Sequence, residues 1–102
     1  MKESSVQTKI LKYLKSIDCY TVKVISATKA GIPDIIGCYK GRFIAIECKT
    51  PTTKNNVSEL QKFNIDAIHK AQGFAIVAWD VEGVKTFIES LEQWYKDSGI
   101  QI

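Results

Sequence analysis

The sequence predicts an α/β fold in which a mixed four-stranded sheet is flanked by helices, with the element order αβββαβα. Three segments carry apolar residues at helical spacing, and four short segments are rich in β-branched and aromatic residues. A helical segment separates the last two strands, which favours a crossover between parallel neighbours. The length of 102 residues and the ordinary apolar and charged fractions predict one globular domain, residues 1–102.

The first helix is predicted over residues 4–17. Ser4 or Ser5 can cap it, and Gln7 stands three residues after Ser4 as in a capping box. The apolar positions at helical spacing are Val6, Ile10, Leu11, Leu14 and Ile17. A strand is predicted next, over residues 20–25, and a polar, basic loop follows it.

The second and third strands form a hairpin that contains two acids and a lysine. If Lys40-Gly41 is a two-residue turn, counting outward places Asp34 opposite Glu47, with β-carbons about 5 Å apart. Lys49 points to the same side as Glu47, because side chains alternate along a strand. A three-residue loop with a bulge at Gly41 would shift the pairing by one and make the two acids diagonal neighbours. Acids held this close repel each other, so the hairpin indicates a divalent-metal site beside a lysine.

The second half of the chain predicts a helix, a strand and a final helix. Ser58 caps the second helix, which ends near Gly73. Its apolar stripe consists of Leu60, Phe63, Ala67, Ile68 and Ala71. The run 74–79 is almost continuously apolar, which fits a strand buried on both faces. A last helix over about 84–95 closes the domain.

Composition excludes several classes of protein. Three cysteines without CxxC spacing argue against a disulfide framework and a structural zinc site, and predict reduced thiols. The apolar runs are too short for a spanning helix, and the first residues do not lead into a signal-peptide core. We therefore expect an intracellular, cytoplasmic protein.

The net charge of +3 does not by itself establish nucleic-acid binding. The basic residues are unevenly placed, however, and several flank the acidic hairpin. The candidates for DNA contact are Lys23, Lys29, Lys40, Arg42 and Lys54. The alternative is that these residues are solvated surface charges.

These motifs resemble the PD-(D/E)xK nuclease superfamily and, more narrowly, its VRR-NUC branch. The resemblance covers about residues 3–84, and its motifs are Gly31-Ile32-Pro33-Asp34, Ile46-Glu47-Cys48-Lys49, Ser58-Glu59-Leu60-Gln61 and Val77-Ala78-Trp79-Asp80. It implies a restriction-endonuclease-like fold and Mg²⁺-dependent hydrolysis of DNA phosphodiesters, with Mn²⁺ as a substitute. Small stand-alone members resemble phage-type proteins that cut branched DNA, including four-way Holliday junctions, as homodimers. A phage-encoded protein of this kind would act inside the host cell.

The resemblance implies catalytic roles for Asp34, Glu47 and Lys49, with the two acids as metal ligands. The backbone carbonyl of Cys48 is a further candidate ligand, because it is available at the strand edge whatever the direction of its side chain. Lys49 would orient the attacking water or lower its pKa, and would neutralise the transition state. The alternative is that Glu47 and Lys49 form an exposed ion pair on the same face, which would contribute little.

Two further residues match the branch. Gln61 matches its helix glutamine, and Glu3 matches less closely an acid often found on the first helix. Both would hold water or a second metal ion. Gln61 also stands three residues after Ser58, where a capping box would use it structurally. Glu3 lies near the end of the chain and could be peripheral.

Other functions remain compatible with the sequence. A non-catalytic nucleic-acid-binding module could have the same fold. A sequence-specific restriction enzyme is a third possibility, although so short a chain leaves little room for a base-reading domain. Cutting both strands of a junction calls for two active sites, which suggests a homodimer. The last helix could form its interface or could simply pack on the sheet, through Phe87, Ile88, Leu91, Trp94 and Tyr95.

Overall fold

The helices and strands follow the predicted order αβββαβα in a computed structural model that describes residues 1–99. The last three residues of the predicted domain 1–102 lie outside the described residues. The elements are α1 (Glu3–Ser16), β1 (Tyr20–Lys23), β2 (Ile35–Tyr39), β3 (Arg42–Cys48), α2 (Glu59–Lys70), β4 (Phe74–Ala78) and α3 (Val81–Ser98). The sheet order is β1-β2-β3-β4; β1, β2 and β3 are antiparallel to one another in turn, and β4 is parallel to β3. The mixed four-stranded sheet flanked by helices is therefore confirmed.

The hairpin between β2 and β3 has the two-residue turn. Lys40 and Gly41 have φ angles of 47° and 82°, the left-handed values that such a turn requires at both positions. The paired register ends with Ile35 and Ile46, so Asp34 is the next residue along from the last pair, on the side of Glu47. The alternative with a bulge at Gly41 is wrong.

One face of the sheet carries the hydrophobic core. The residues of α1 and α3 that face the sheet pack against alternate residues of β2 and β3. The buried cluster includes Val6, Ile10, Leu14, Ile35, Ile44, Ile46, Cys48, Val84, Ile88 and Leu91. None of the helices within residues 1–99 is long and apolar enough to cross a membrane.

Helix α3 packs on its own chain. Phe87 packs against the core cluster, and Ile88, Leu91 and Tyr95 are buried. The Trp94 ring lies edge-on to Phe74, with ring centroids 5.7 Å apart. The structure therefore supports the packing of this helix on the sheet and not its use as an exposed dimer interface.

Several predicted boundaries are wrong. Helix α1 begins at Glu3, after Lys2, which makes no side-chain cap, so neither Ser4 nor Ser5 is the capping residue. An acid in the first turn suits the positive end of the helix dipole. Strand β1 stops at Lys23. Helix α3 spans Val81–Ser98. It begins earlier than predicted because the Asp80 side chain caps it by accepting a hydrogen bond from the Gly83 N–H.

Strand β4 and helix α2 are less buried than the sequence predicted. Strand β4 is an edge strand, so Ile76 and Val77 are only partly buried. An apolar helical stripe usually faces the core, but four of the five residues in the predicted α2 stripe are exposed, namely Leu60, Phe63, Ala67 and Ala71. The only buried residue of α2 is Asn64.

Candidate metal centre

Asp34 enters the site at the end of the loop that precedes β2. Its Oδ2 accepts a hydrogen bond from the Cys48 N–H at 2.8 Å. Its backbone carbonyl accepts one from the Val24 N–H, also at 2.8 Å. The N–H and C=O of a strand residue point to the same side of the strand, so the Cys48 carbonyl also faces the side on which Asp34 lies. Asp34 is thus held between β1 and β3, next to a backbone carbonyl.

The loop that carries Asp34 is anchored on α2. Asn64 Nδ2 donates to the Ala30 carbonyl at 3.1 Å and is buried there. Gly31 has a φ of +80°, and a β-carbon at this position would lie 2.7 Å from the backbone of Leu60. Glycine is therefore required by both the backbone conformation and the close approach. This contact explains the glycine of the Gly-Ile-Pro-Asp motif.

Glu47 is a nearly buried carboxylate with two polar side chains against it. Only 3% of the residue is exposed. Lys49 Nζ lies 3.9 Å from Glu47 Oε2, and Gln61 Nε2 donates to the same oxygen at 3.2 Å. The prediction that Lys49 shares the face of Glu47 is confirmed. The pair is not exposed, because Lys49 is itself only 7% exposed.

The pKa of Glu47 is raised, chiefly because its carboxyl group is buried. Burial, followed by the hydrogen bond with Asp34 and by the negative charge of Asp34, raises this pKa to about 8, and Lys49 lowers it only in part. Glu3 adds a smaller upward effect on the same pKa. The charge of Lys49 therefore does not offset the combined effects of burial and of Asp34 on this pKa.

Glu3 lies near the centre but contacts a different group. Its Oε2 accepts a hydrogen bond from Thr53 Oγ1 at 3.1 Å. Thr53 is joined in turn to Thr50, whose N–H donates to Thr53 Oγ1 at 2.8 Å. Glu3 thus ties α1 to the loop that follows Lys49. Its role as a metal ligand stays a prediction.

The residues present fit a hard divalent cation. Carboxylate and carbonyl oxygens are the ligands that Mg²⁺ prefers, and Asp34, Glu47 and Cys48 provide them at one end of the sheet. Burial and the neighbouring Asp34 make ionisation of Glu47 unfavourable, and a bound cation would favour the ionised form. Residues 1–99 contain no group of three or more His, Cys, Asp or Glu side chains that could hold a metal ion. The candidate centre therefore depends on two carboxylates and a backbone carbonyl.

The cysteines are free, as predicted. Cys19 and Cys48 are buried and Cys38 is exposed. Burial raises the pKa of Cys48 to about 12, and the charges of Asp34 and Glu47 act in the same direction. The Cys48 thiol is therefore protonated near neutral pH and is a poor nucleophile.

Three of the candidate DNA-binding residues lie at the end of the sheet that carries the acids. Lys23 ends β1, and Lys29 lies in the loop anchored on α2. Lys54 lies in the loop after β3, with Nζ 5.1 Å from the centre of the Trp79 ring. All three are exposed. Their contact with DNA stays a prediction, and their exposed positions near the acids are compatible with it.

The other two candidates lie at the hairpin turn, about 17 Å along the strand from the acids. Lys40 Nζ is 2.8 Å from Glu92 Oε1. The Arg42 guanidinium lies 4.3 Å from the centre of the Trp94 ring. Both side chains have partners within the fold, and the structure does not bring them together with the acids.

Sequence reasoning did not single out the residues that position the site. Asn64 anchors the Asp34 loop, and Thr50 with Thr53 orders the chain after Lys49. The repeated threonines of residues 50–53 are the only sequence signal for the second arrangement, because threonine hydroxyls commonly bond nearby backbone groups in turns. Asn64 carries no such signal.

Comparison with known proteins finds no matching family model and no curated protein with significant similarity. The resemblance to the VRR-NUC branch therefore stays a prediction from the sequence motifs.

Proposed function

We propose that this chain is a metal-dependent DNA endonuclease of the VRR-NUC type, which hydrolyses phosphodiester bonds and prefers branched DNA such as four-way junctions. The observation that supports it most is the nearly buried Glu47 carboxyl group, which interacts with Asp34 and lies 3.9 Å from Lys49 Nζ. Buried acids that repel each other reduce stability. A fold that retains them has a use for a cation between them.

The acids would hold the metal and are themselves held by neighbours. Asp34, Glu47 and the Cys48 carbonyl would bind Mg²⁺ or Mn²⁺, which when bound would neutralise the scissile phosphate and lower the pKa of a water molecule. The Cys48 N–H fixes one oxygen of Asp34 and leaves the other available. Gln61 restrains Glu47 through its Oε2.

Lys49 would add a side-chain positive charge to that of the bound metal ion. Its stem is buried, so its ammonium group is held near Glu47 instead of moving freely in solvent. From there it can donate to a phosphate oxygen or orient the attacking water. A donor that stabilises transition-state charge is worth about 10²–10³-fold in rate.

The surroundings of the acids suit a polyanionic substrate. Lys23, Lys29 and Lys54 are exposed at the same end of the sheet. Contacts of this type go to phosphates, so they would set the position of DNA without reading its sequence. The preference for branched DNA is carried by the motif resemblance alone.

Cleavage of labelled DNA tests the proposal. The substrates are a four-way junction, a flap, a linear duplex and a single strand, each with Mg²⁺, Mn²⁺ or EDTA. The enzymes are the wild type, Lys49→Ala and, as a matched control, Lys12→Ala, which removes an exposed lysine from α1. We expect metal-dependent cutting of the junction, lost in Lys49→Ala and unchanged in Lys12→Ala.

The same experiment distinguishes the alternative function. Junction binding without cutting under any metal would make the chain a non-catalytic DNA-binding module. Cutting that survives in Lys49→Ala would contradict the catalytic role given to this residue. Equal cutting of all four substrates would contradict the preference for branched DNA.

A further inference from the structure

The outer face of α2 is apolar and has no partner within the described part of the chain. Phe63 is 68% exposed and Leu60 is 55% exposed. Ala67 and Ala71 continue the same stripe and are also exposed. The four residues recur at intervals of three and four, so they form one continuous strip, which we call the outer stripe.

The outer stripe has large side chains at one end and a depression at the other. The large residues, Leu60 and Phe63, occupy its N-terminal half. Beside its C-terminal half is a cavity of about 320 Å³ lined by Phe43, Ile68, Ala71, Gln72 and Gly73. Phe43 is 45% exposed and extends the apolar surface beyond the helix. The two halves therefore have complementary shapes.

Charged residues follow one flank of the outer stripe with alternating sign. In chain order they are Glu59, Lys62, Asp66 and Lys70, that is negative, positive, negative, positive. Their positions on the helix place all four on the same side of the stripe. The sum of their charges is zero.

We propose that a second copy of this chain packs on the outer stripe, with the two α2 helices antiparallel. In an antiparallel pair the same flank of each helix meets, which would pair Glu59 with Lys70 and Lys62 with Asp66 of the second copy. The same arrangement places Phe63 and Leu60 over the small residues and the cavity of the other helix. The midpoints of all these pairs fall between residues 64 and 66, so a single two-fold axis can generate them. A surface that matches itself in this way is the requirement for a two-fold interface.

Other arrangements fit less well. A parallel pair would bring the charged flank of each helix against the uncharged flank of the other, so none of these charge pairs could form. A nucleic acid would need an excess of positive charge, and the flank has none. The Glu59–Lys62 pair within one chain, at 3.4 Å and largely exposed, contributes little and does not compete with the interface.

The inner face of α2 connects this surface with the candidate metal centre. Gln61 on that face contacts Glu47. An interface on the outer stripe would therefore fix two centres relative to each other, a consequence that rests on the proposed function. The interface itself does not depend on nuclease activity.

Sedimentation equilibrium of the full chain tests the interface without any cleavage assay. We expect a dimer for the wild type at about 100 μM, and at least a hundredfold weaker association for Phe63→Asp. Ile25→Asp is the matched control, because Ile25 is 90% exposed and belongs neither to the outer stripe nor to the lining of its cavity. A monomeric wild type, or equal association of the two variants, would overturn the proposal.

Charge reversal tests the orientation of the helices. Lys62→Glu places a negative charge against Asp66 of the second copy, and the two-fold symmetry repeats this repulsion. The dissociation constant of the dimer should therefore rise at least about tenfold. Asp66→Lys should have the same effect. The double variant Lys62→Glu with Asp66→Lys restores opposite charges, and we expect association close to that of the wild type. Additive loss in the double variant would contradict the antiparallel pairing.

Discussion

Gln61 Nε2 donates a hydrogen bond to Glu47 Oε2 at 3.2 Å, while Oε1 of the same side chain accepts one from the Ser58 N–H at 2.9 Å. The Gln61 N–H also donates to Ser58 Oγ, which completes a capping box. The sequence left the site role and the cap role of Gln61 as alternatives. The structure shows both contacts at once, because the start of α2 lies directly against the buried acid.

Ser58→Ala and Gln61→Glu should separate the cap from the site. Ser58→Ala removes the side-chain cap and should lower the free energy of unfolding by about 1 kcal/mol, with cleavage close to the wild-type rate. Gln61→Glu keeps an acceptor for the Ser58 N–H but turns an oxygen toward Glu47, so cleavage should fall at least about tenfold. Urea unfolding and cleavage rates check both. A loss of activity in proportion to stability in the two variants would contradict the separation.

Gly31→Ala should destabilise the protein more than Gly41→Ala. Both glycines have a φ near +80°, so alanine is strained at either position. Only at Gly31 would the new β-carbon meet backbone, at 2.7 Å from Leu60, whereas Gly41 has open space. We expect about 1 kcal/mol for Gly41→Ala and at least twice that for Gly31→Ala. Equal losses in urea unfolding would show that the contact is not restrictive.

Without metal, Glu47 should make stability fall as the pH rises. The unfolded chain releases this proton near pH 4.5, whereas the folded chain keeps it to about pH 8, so the folded state binds more protons between these values. The Glu47 contribution is therefore most favourable below about pH 4.5 and is lost as the pH rises through about 8. In EDTA, Glu47→Gln should gain stability over the wild type by more than about 1 kcal/mol between pH 5 and pH 9. A difference that does not change with pH would contradict the raised pKa.

The basic residues at the acid end of the sheet should contribute to DNA affinity, and Arg42 should not. Lys29→Ala and Lys54→Ala should each weaken junction binding and reduce the salt slope by about one. Arg42→Ala should leave that slope unchanged and should lower stability, because the guanidinium packs on Trp94. Binding measured across a salt series checks this. A reduced slope in Arg42→Ala would place DNA at the hairpin turn.

The sequence limited the hairpin to two registers, and the structure selects the one with the two-residue turn. A two-residue turn requires left-handed backbone at both positions, and Lys40 and Gly41 adopt it. Once the turn is fixed, strand alternation alone places Asp34, Glu47 and Lys49. Apolar periodicity predicted the order of the helices and strands, and the helix between the last two strands predicted their parallel pairing.

Features that depend on distant contacts could not be predicted. The outward direction of the α2 stripe depends on what the helix meets across the sheet, where polar residues such as Asn64 and Gln61 are the ones that face the protein. The role of Asn64 depends on a loop more than 30 residues earlier in the chain. The structural use of Arg42 depends on α3, which follows much later in the sequence.

Metal binding by the acid pair tests the central claim most directly. Titration calorimetry with Mn²⁺ and Mg²⁺ should compare the wild type with Asp34→Asn and Glu47→Gln, with Asp66→Asn as the control because it removes an exposed acid from α2. We predict saturable binding by the wild type and the control, and at least about tenfold weaker binding by the two site variants. Binding of the same strength in all four proteins, or none in the wild type, would contradict the account of Asp34 and Glu47 as a metal centre.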